Sequence, residues 1–256
     1  TVPQPEWMAM PEERCSGLLP APDDARWQAF SAGHRWGQDD EEPWAWFRRE
    51  ITIPEGWRGR RVALLVRLGE PDRSNHPEAL AYVNSVVRQG IDQRHGLVYL
   101  DKHARVGDRY DVALEAWRGR SPEPRRFVQA DLVWIDEETE AFYFDASVAL
   151  EVAQSLPEQD YARIHLVNAL EAAFLVVDYR EPLGDAFYTS VRRARKTLRR
   201  EIDAVPLPTR HERVCAVGHA HLDVAWLWPL SQTRQKAART FSTVLRLMER
   251  YPQYHF

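Results

Sequence analysis

The spacing of apolar residues changes once along this chain, near residue 140, and this change restricts the fold more than any other feature. Between residues 43 and 135, apolar and polar residues alternate in short runs that end at turn-forming residues. Alternation with a period of two is typical of half-buried strands, and strands spaced roughly every 10–15 residues favour an antiparallel sandwich. After residue 140 the spacing becomes helical, so the sequence predicts an α+β fold.

Two short runs in the first part are joined by Asn84-Ser85, a pair that suits a tight hairpin turn. Residues 1–42 are rich in Pro, Gly and charge, with Trp7, Trp27 and Trp36 spaced among them, and predict an irregular arm held by its aromatic residues. The acidic run at 39–42 is interpreted as a solvated loop. The predicted strands are 46–53, 61–68, 81–83, 86–88, 97–100, 110–117 and 127–135.

In the second part, apolar residues recur every three or four positions, as on the buried face of a helix. The predicted helices are 144–156, 158–179, 185–204 and about 229–250. The third helix also has a basic face, which we interpret as solvated and close to acidic neighbours, with a phosphate or nucleic-acid patch as the alternative. The predicted buried faces are Ile164, Val167, Leu170, Phe174 and Val177 in the second helix, Phe187, Val191, Ala194, Leu198 and Ile202 in the third, and Leu230, Ala237, Phe241, Val244 and Met248 in the fourth.

The run Val214–Val217 is apolar without alternation and ends at Gly218, which predicts a buried parallel strand. The fourth helix follows it, and Tyr254–Phe256 resembles the start of a second strand, so this part predicts the first β-α unit of an α/β domain. The Pro-rich segment at 205–209 predicts a stiff linker. Four regions result: an arm at 1–42, a sandwich at 43–140, a helical linker region at 141–205 and the start of an α/β domain at 206–256.

Composition excludes several classes of protein. Among 256 residues the formal net charge is −4, which gives no indication of nucleic-acid or anionic-membrane binding. No apolar run approaches the roughly 18 residues that a membrane-spanning helix needs. The two cysteines form neither a disulfide framework nor a metal spacing, so a reducing, cytoplasmic setting is expected.

A cluster of polar and aromatic residues follows the predicted strand at Gly218. His221 and Asp223 are two residues apart, so in an extended chain they point to the same side and can converge on one cation. On spacing alone this is one reading among several, because His-x-Asp is short and common. We interpret His219 as a core or supporting histidine, and Trp226 and Trp228 as packing residues unless a site is present.

This cluster closely resembles the start of the catalytic domain of the zinc-dependent α-mannosidases of glycoside hydrolase family 38, in the cytosolic, vacuolar and bacterial branch. The resemblance extends to the Tyr82-Val83 hairpin and to residues 130–136 and 141–145, and so covers most of 43–256. The residues that carry it are Gly218-His219-Ala220-His221-Leu222-Asp223-Val224-Ala225-Trp226-Leu227-Trp228-Pro229 and Lys236-Ala237-Ala238-Arg239-Thr240-Phe241.

The resemblance implies that His221 and Asp223 are zinc ligands, with one ion per active site, and that Trp226 lies against the sugar. It implies a retaining hydrolysis of terminal α-mannosyl residues, in which one carboxylate is the nucleophile and a second is the acid–base. In the family the nucleophile, which also binds zinc, and a further histidine ligand lie downstream of this motif. None of these 256 residues is therefore assigned as catalytic, and this stretch alone is expected to be inactive and to bind zinc weakly or not at all. Cobalt and manganese also suit such ligands.

Residues Trp46-Phe47-Arg48-Arg49 and Ala81-Tyr82-Val83-Asn84 also resemble the jelly-roll sugar-binding modules attached to many glycoside hydrolases. The resemblance to family 38 further implies a homo-oligomer built through the N-terminal region, with α-mannoside glycans as partners. Two alternatives stay open. One is a non-catalytic carbohydrate-binding or assembly module, and the other is a different zinc hydrolase, such as a deacetylase.

Overall fold

The computed structural model describes residues 1–4, 6–12, 19–38, 43–70, 76–120, 123–204, 214–226 and 228–256. These residues form two compact units, Thr1–Trp134 with Cys215–Phe256, and Ile135–Val214. The acidic run at 39–42, the linker at 205–209 and Leu227 lie outside the described residues, and so does the predicted boundary at residue 205. The division of the chain into four regions therefore stays a prediction.

The first unit contains two main antiparallel sheets. One has the strand order β3-β2-β5-β10-β7-β8, the other the order β1-β12-β6-β9, and β4 pairs with β11. The strands that alternation predicts between residues 43 and 135 are confirmed. The strands are β1 Val2–Pro3, β2 Glu6–Glu12, β3 Gln28–Ser31, β4 Arg35–Trp36, β5 Trp44–Thr52, β6 Arg61–Arg67, β7 Glu78–Val83, β8 Val86–Ile91, β9 Leu97–Asp101, β10 Arg109–Trp117, β11 Arg125–Arg126 and β12 Gln129–Ile135.

One apolar cluster lies between the two main sheets. It combines Phe47 and Leu114 from the six-stranded sheet with Leu64, Val98 and Leu132 from the four-stranded sheet, and all five are buried. Because side chains alternate along a strand, only every second residue enters this cluster. The two sheets therefore pack face to face as a sandwich.

The six-stranded sheet also buries part of its outer face. Trp46, Leu80 and Tyr82 point away from the sandwich core and form a second cluster, against which Ala238 packs. Ala238 belongs to α4, Leu230–Arg250, which also packs along β7 and β8. The outer face of this sheet is thus covered by the helix that follows the His221–Asp223 motif.

The expectation of an irregular arm at 1–42 is wrong for the described residues, which include β1 to β4. Pro3 lies in β1, an edge strand, where a missing N–H costs no ladder hydrogen bond. Pro11 pairs with Ala45 beyond the point where β2 has left β3. The strands form because Trp7 and Met10 find buried positions against distant parts of the chain, a gain that composition does not reveal.

The predicted buried strand at Val214–Val217 is also wrong. These residues form no strand, and Val214 and Val217 are 85% and 69% exposed. A parallel strand needs a partner along its length, whereas the backbone contact described here is a hydrogen bond from Gly218 N to His255 O at 2.7 Å. Gly218 also lies close to the side chains of Tyr254 and Phe256, so the segment contacts the predicted second strand at its C-terminal end without forming a ladder.

Helix α4 forms where it is expected, but it turns a different face to the sheet. Leu230, Phe241 and Met248, which we expected to be buried, are 51%, 53% and 41% exposed, whereas Val244 is buried as predicted. The residues buried with it are polar: Gln232, Gln235 and Arg239. Burial of these groups is tolerated because each hydrogen-bonds to the sheet or to a neighbour on α4.

The second unit contains three helices that share one apolar core. Helix α1 begins earlier than predicted because Asp136 caps it, accepting a hydrogen bond from Thr139 N. In the second predicted helix the buried face is confirmed at Leu170 and Val177 but wrong at Ile164, Val167 and Phe174, which are exposed. The residues of α2 buried beside Leu170 are Leu166, Ala169 and Ala173. In the described part of the chain, no helix is long and apolar enough to cross a membrane. The helices are α1 Glu137–Ser155, α2 Tyr161–Phe174 and α3 Asp185–Asp203.

The face predicted to be buried in α3 is confirmed, with Val191, Ala194 and Leu198 in the core. Its basic face is confirmed as a solvated surface beside acidic residues. Arg195 forms ion pairs with Glu138 at 2.9 Å and with Asp145 at 3.0 Å. Arg199 also pairs with Asp145, at 3.0 Å, so two of these cations have carboxylate partners on α1.

Candidate metal centre

The His221–Asp223 motif lies in an extended loop that leads into α4. His221 Nε2 and Asp223 Oδ1 are 3.2 Å apart, and their side chains are 78% and 43% exposed. The two residues therefore point to the same side, as their spacing predicts. His219 is exposed, so the interpretation of His219 as a core histidine is wrong.

The pair fits zinc as part of a ligand set. Two ligands at zinc–ligand distances of roughly 2.0–2.2 Å in a tetrahedral site lie about 3.3–3.6 Å from each other, close to the separation found here. Among the residues described by the structure, no group of three or more His, Cys, Asp or Glu could hold a metal ion. The described residues could thus offer two donors to a metal ion, His221 and Asp223, which is fewer than a tetrahedral zinc site needs.

Two tryptophans follow the pair and contact each other. The rings of Trp226 and Trp228 are 5.7 Å apart and nearly perpendicular, at 84°. Trp226 is 67% exposed, so a broad apolar ring face is accessible to solvent close in sequence to His221 and Asp223. Trp228 is partly buried and serves as its support.

Thr233 lies in the first turn of α4 and was not singled out from the sequence. It connects the backbone at Asp223 and Val224 with the side chain of Trp228. Its hydroxyl donates to Val224 O at 2.7 Å, lies 3.4 Å from Asp223 O, and accepts a hydrogen bond from Trp228 Nε1 at 3.0 Å. The sequence shows only a threonine one turn into the helix that follows the motif, and this by itself is weak evidence for a contact with the loop.

Glu78 on β7 was also missed, and it binds α4 to the sheet. Its carboxylate accepts hydrogen bonds from Arg239 Nη2 at 2.7 Å, Lys236 Nζ at 2.9 Å and Gln232 Nε2 at 3.1 Å. Burial raises the pKa of Glu78, but Arg239 and Lys236 outweigh it, so the pKa lies below its ordinary value. We call these four residues the Glu78 cluster.

Three of the residues that carry the resemblance to sugar-binding modules stabilise the sandwich itself. Trp46 and Phe47 are fully buried, and Arg48 forms a bidentate pair with Asp111 at 2.9 and 2.6 Å. A cleft of about 520 Å³ lies next to them and includes Met8 and Arg49 in its lining. The buried aromatic rings cannot serve as stacking surfaces for a sugar, and sugar binding by the sandwich stays a prediction.

Comparison with known proteins relates the chain to one family. Residues 211–256 match the model of the glycosyl hydrolases family 38 N-terminal domain. The chain is 28% identical over 228 residues to alpha-mannosidase 2C1 of Mus musculus, and 28% identical over 239 residues to an alpha-mannosidase of Saccharomyces cerevisiae. Each alignment covers 82% of this chain and 21% of the relative, so the chain spans about a fifth of the length of these proteins.

Among solved structures, a β-glucuronidase of Bacteroides uniformis aligns with a TM-score of 0.39 and 16% identity, covering 53% of this chain and 18% of that one. That likeness is too distant to support a conclusion. The family match, in contrast, includes the His221–Asp223 pair, Trp226 and the whole of α4. Together with the two relatives, it shows that the chain is similar to the N-terminal region of glycoside hydrolase family 38 α-mannosidases.

Proposed function

We propose that this chain is the N-terminal part of a zinc-dependent, retaining α-mannosidase that removes terminal α-mannosyl residues from glycans. The observation that supports this most strongly is the His221–Asp223 pair, 3.2 Å apart, within the segment that matches the family model. The curated relatives, which are named α-mannosidases, support the substrate class.

In this proposal His221 Nε2 and an Asp223 carboxylate oxygen hold the zinc ion, and the other ligands come from residues beyond the described pair. A bound zinc ion would supply a positive charge to which hydroxyl groups of the sugar ring could bind. Asp223 is then a ligand and not the nucleophile, because the resemblance to family 38 places the nucleophile downstream of this motif. Trp226 offers its exposed ring face to the sugar bound beside the pair.

Residues 206–256 are proposed to begin a larger α/β domain of the barrel type. Helix α4 supports this, because Leu230, Phe241, Leu245 and Met248 are all at least 41% exposed. An apolar stripe of this kind is normally buried, and further strands and helices of the same domain would cover it. The sandwich in front of it is proposed to be jelly-roll-like.

Two further expectations belong to the same proposal. A homo-oligomer built through the N-terminal region is supported by exposed apolar side chains on α1, among them Tyr143, Phe144 and Val148. A cytoplasmic setting is supported by the low cysteine content, and Cys215 is a free, exposed thiol. Cys15 lies outside the described residues.

The test compares the complete protein with His221→Ala and Asp223→Ala. We expect the unchanged protein to contain stoichiometric zinc and to hydrolyse an aryl α-mannoside, and each variant to lose most of both, because one of the zinc ligands is missing. This 256-residue stretch alone is expected to show no turnover. Full zinc content in either variant would contradict the ligand assignment, and activity on acetylated sugars without mannosidase activity would favour a deacetylase.

A further inference from the structure

The loop that contains the metal pair is held by one hydroxyl group. Thr233 Oγ1 has a single proton, which it donates to Val224 O at 2.7 Å, with Asp223 O also near at 3.4 Å. A lone pair of the same oxygen accepts the indole N–H of Trp228 at 3.0 Å. One side chain therefore connects the backbone at Asp223 with the aromatic residue that supports Trp226.

Thr233 is itself held in place because α4 is fixed on the sheet. In the Glu78 cluster, Arg239 is only 9% exposed, and its guanidinium lies 2.7 Å from the Glu78 carboxylate. Gln235 Nε2 donates to Glu115 O on β10 at 2.8 Å. A Cβ at Gly90 would lie 2.8 Å from Cβ of Arg239, so the helix backbone approaches β8 closely. These contacts leave α4 little freedom to shift.

Lys236 extends the connection from the sheet to the loop. Its ammonium is 2.9 Å from Glu78 Oε2 and 4.5 Å from the centre of the Trp228 ring. An ammonium over an indole face is attracted by the ring and restricts its position. Trp228 is therefore held by Thr233 through its N–H and by Lys236 through its ring face.

We propose that Thr233 is a positioning residue for the metal pair, acting through the backbone of Asp223 and Val224, with the Glu78 cluster as its fixed support. This rests on the proposed function, because it takes His221 and Asp223 as metal ligands. The side chains of His221 and Asp223 are 78% and 43% exposed, so few packing contacts fix them and their orientation depends on the backbone of the loop. A loop held in the binding geometry before the metal arrives loses less entropy on binding and gives a higher affinity.

The test uses the complete protein, stripped of metal, with Co²⁺ as the probe. Visible absorption of the bound ion reports both affinity and coordination geometry. Thr233→Val removes the hydroxyl at nearly constant shape and is expected to lower Co²⁺ affinity about tenfold, with a changed spectrum. Thr233→Ser keeps the hydroxyl and is expected to restore both the affinity and the spectrum.

Thr243→Val is the matched control. Thr243 lies near the other end of α4, where its hydroxyl accepts a hydrogen bond from Gly90 N at 3.0 Å, so this variant also loses one contact between helix and sheet. We expect it to lower thermal stability without changing Co²⁺ affinity. Equal losses of affinity in Thr233→Val and Thr243→Val would overturn the proposal, since the effect would then be general destabilisation.

Two results separate this proposal from the proposed function. If the unchanged protein binds no Co²⁺, or binds it equally after His221→Ala, the metal site itself is wrong and the positioning role falls with it. If binding depends on His221 but Thr233→Val binds as tightly as the unchanged protein, the positioning role alone is overturned and the proposed function stands.

Discussion

Glu78 on β7 accepts a hydrogen bond from Arg239 on α4 at 2.7 Å, across 161 positions of sequence. The contact joins a strand of the sandwich to the helix that follows the metal motif. With Lys236 also bound to Glu78, one carboxylate pairs with two cations at a largely buried position. The sandwich is thus bound to the loop that holds His221 and Asp223 by charge as well as by apolar contact.

Removal of the Glu78 carboxylate should lower the free energy of unfolding. Glu78→Ala leaves the buried Arg239 without its partner, and we expect a loss of about 2–3 kcal/mol in the free energy of unfolding, measured by urea denaturation. Glu50→Ala is the control, because the Glu50–Arg109 pair is more than half exposed on both sides. It should cost less than about 1 kcal/mol. Similar losses in both variants would show that the Glu78 cluster contributes no more than a surface ion pair.

The hairpin between β7 and β8 should gain stability from glycine. Asn84 and Ser85 both have left-handed backbone conformations, with φ values of 51° and 64°. Ser85→Gly relieves the steric cost of this conformation, and we expect thermal denaturation to show a gain of about 0.5–1 kcal/mol. Gly56→Ala is the reverse test, since Gly56 has φ +84° and open space around its Cβ position. It should cost about 1 kcal/mol, and a destabilising Ser85→Gly would contradict the argument.

The pair Asp92–His95 should titrate abnormally. Burial raises the pKa of Asp92, but hydrogen bonds and attraction from His95 and from backbone N–H groups bring it to about 2. The hydrogen bond to Asp92 raises the pKa of His95 above its ordinary value. The Asp92 contribution to stability is present above about pH 4 and is lost as the pH falls towards 2. The His95 contribution is complete below about pH 6.5 and is lost as the pH rises through its raised pKa.

Asp92→Asn tests this pair, since the amide oxygen can still accept from the backbone N–H of Arg94 and His95. We expect the pKa of His95, followed by NMR of its imidazole protons, to fall in this variant. Asp24→Asn removes the same charge from an exposed pair elsewhere and should leave the titration of His95 unchanged. An unaltered pKa of His95 in Asp92→Asn would contradict the assigned cause. Because both side chains are about half exposed, the effect on stability should stay below about 1 kcal/mol.

In the complete protein, Trp226→Ala should lower the catalytic efficiency on the substrate and leave the metal content unchanged. Loss of its exposed ring face should lower kcat/KM for an aryl α-mannoside about tenfold, equivalent to about 1.4 kcal/mol. Val86→Ala is a control with the same exposure, since both residues are 67% exposed. Unchanged kinetics in Trp226→Ala would show that Trp226 only packs against Trp228, and loss of zinc would make it part of the metal site.

Local pattern was sufficient for much of this fold. The strands between residues 43 and 135 follow from alternation, because Val112 and Leu114 on β10 face the core while their neighbours face the other way. The turn at Asn84-Ser85 and the buried face of α3 follow from equally local rules. The side-by-side placement of His221 and Asp223 also needs only their two-residue spacing.

Other features were decided by contacts between distant parts of the chain. The strands of residues 1–36 exist because Trp7 and Met10 pack against segments far along the sequence. The polar side of α4 is buried because Glu78 and the carbonyl of Glu115 offer partners to it, which no helical period can indicate. For the same reason, the sequence alone predicted the side-by-side placement of His221 and Asp223 and the family resemblance, whereas the contacts of Thr233 and of the Glu78 cluster became visible only in the tertiary structure.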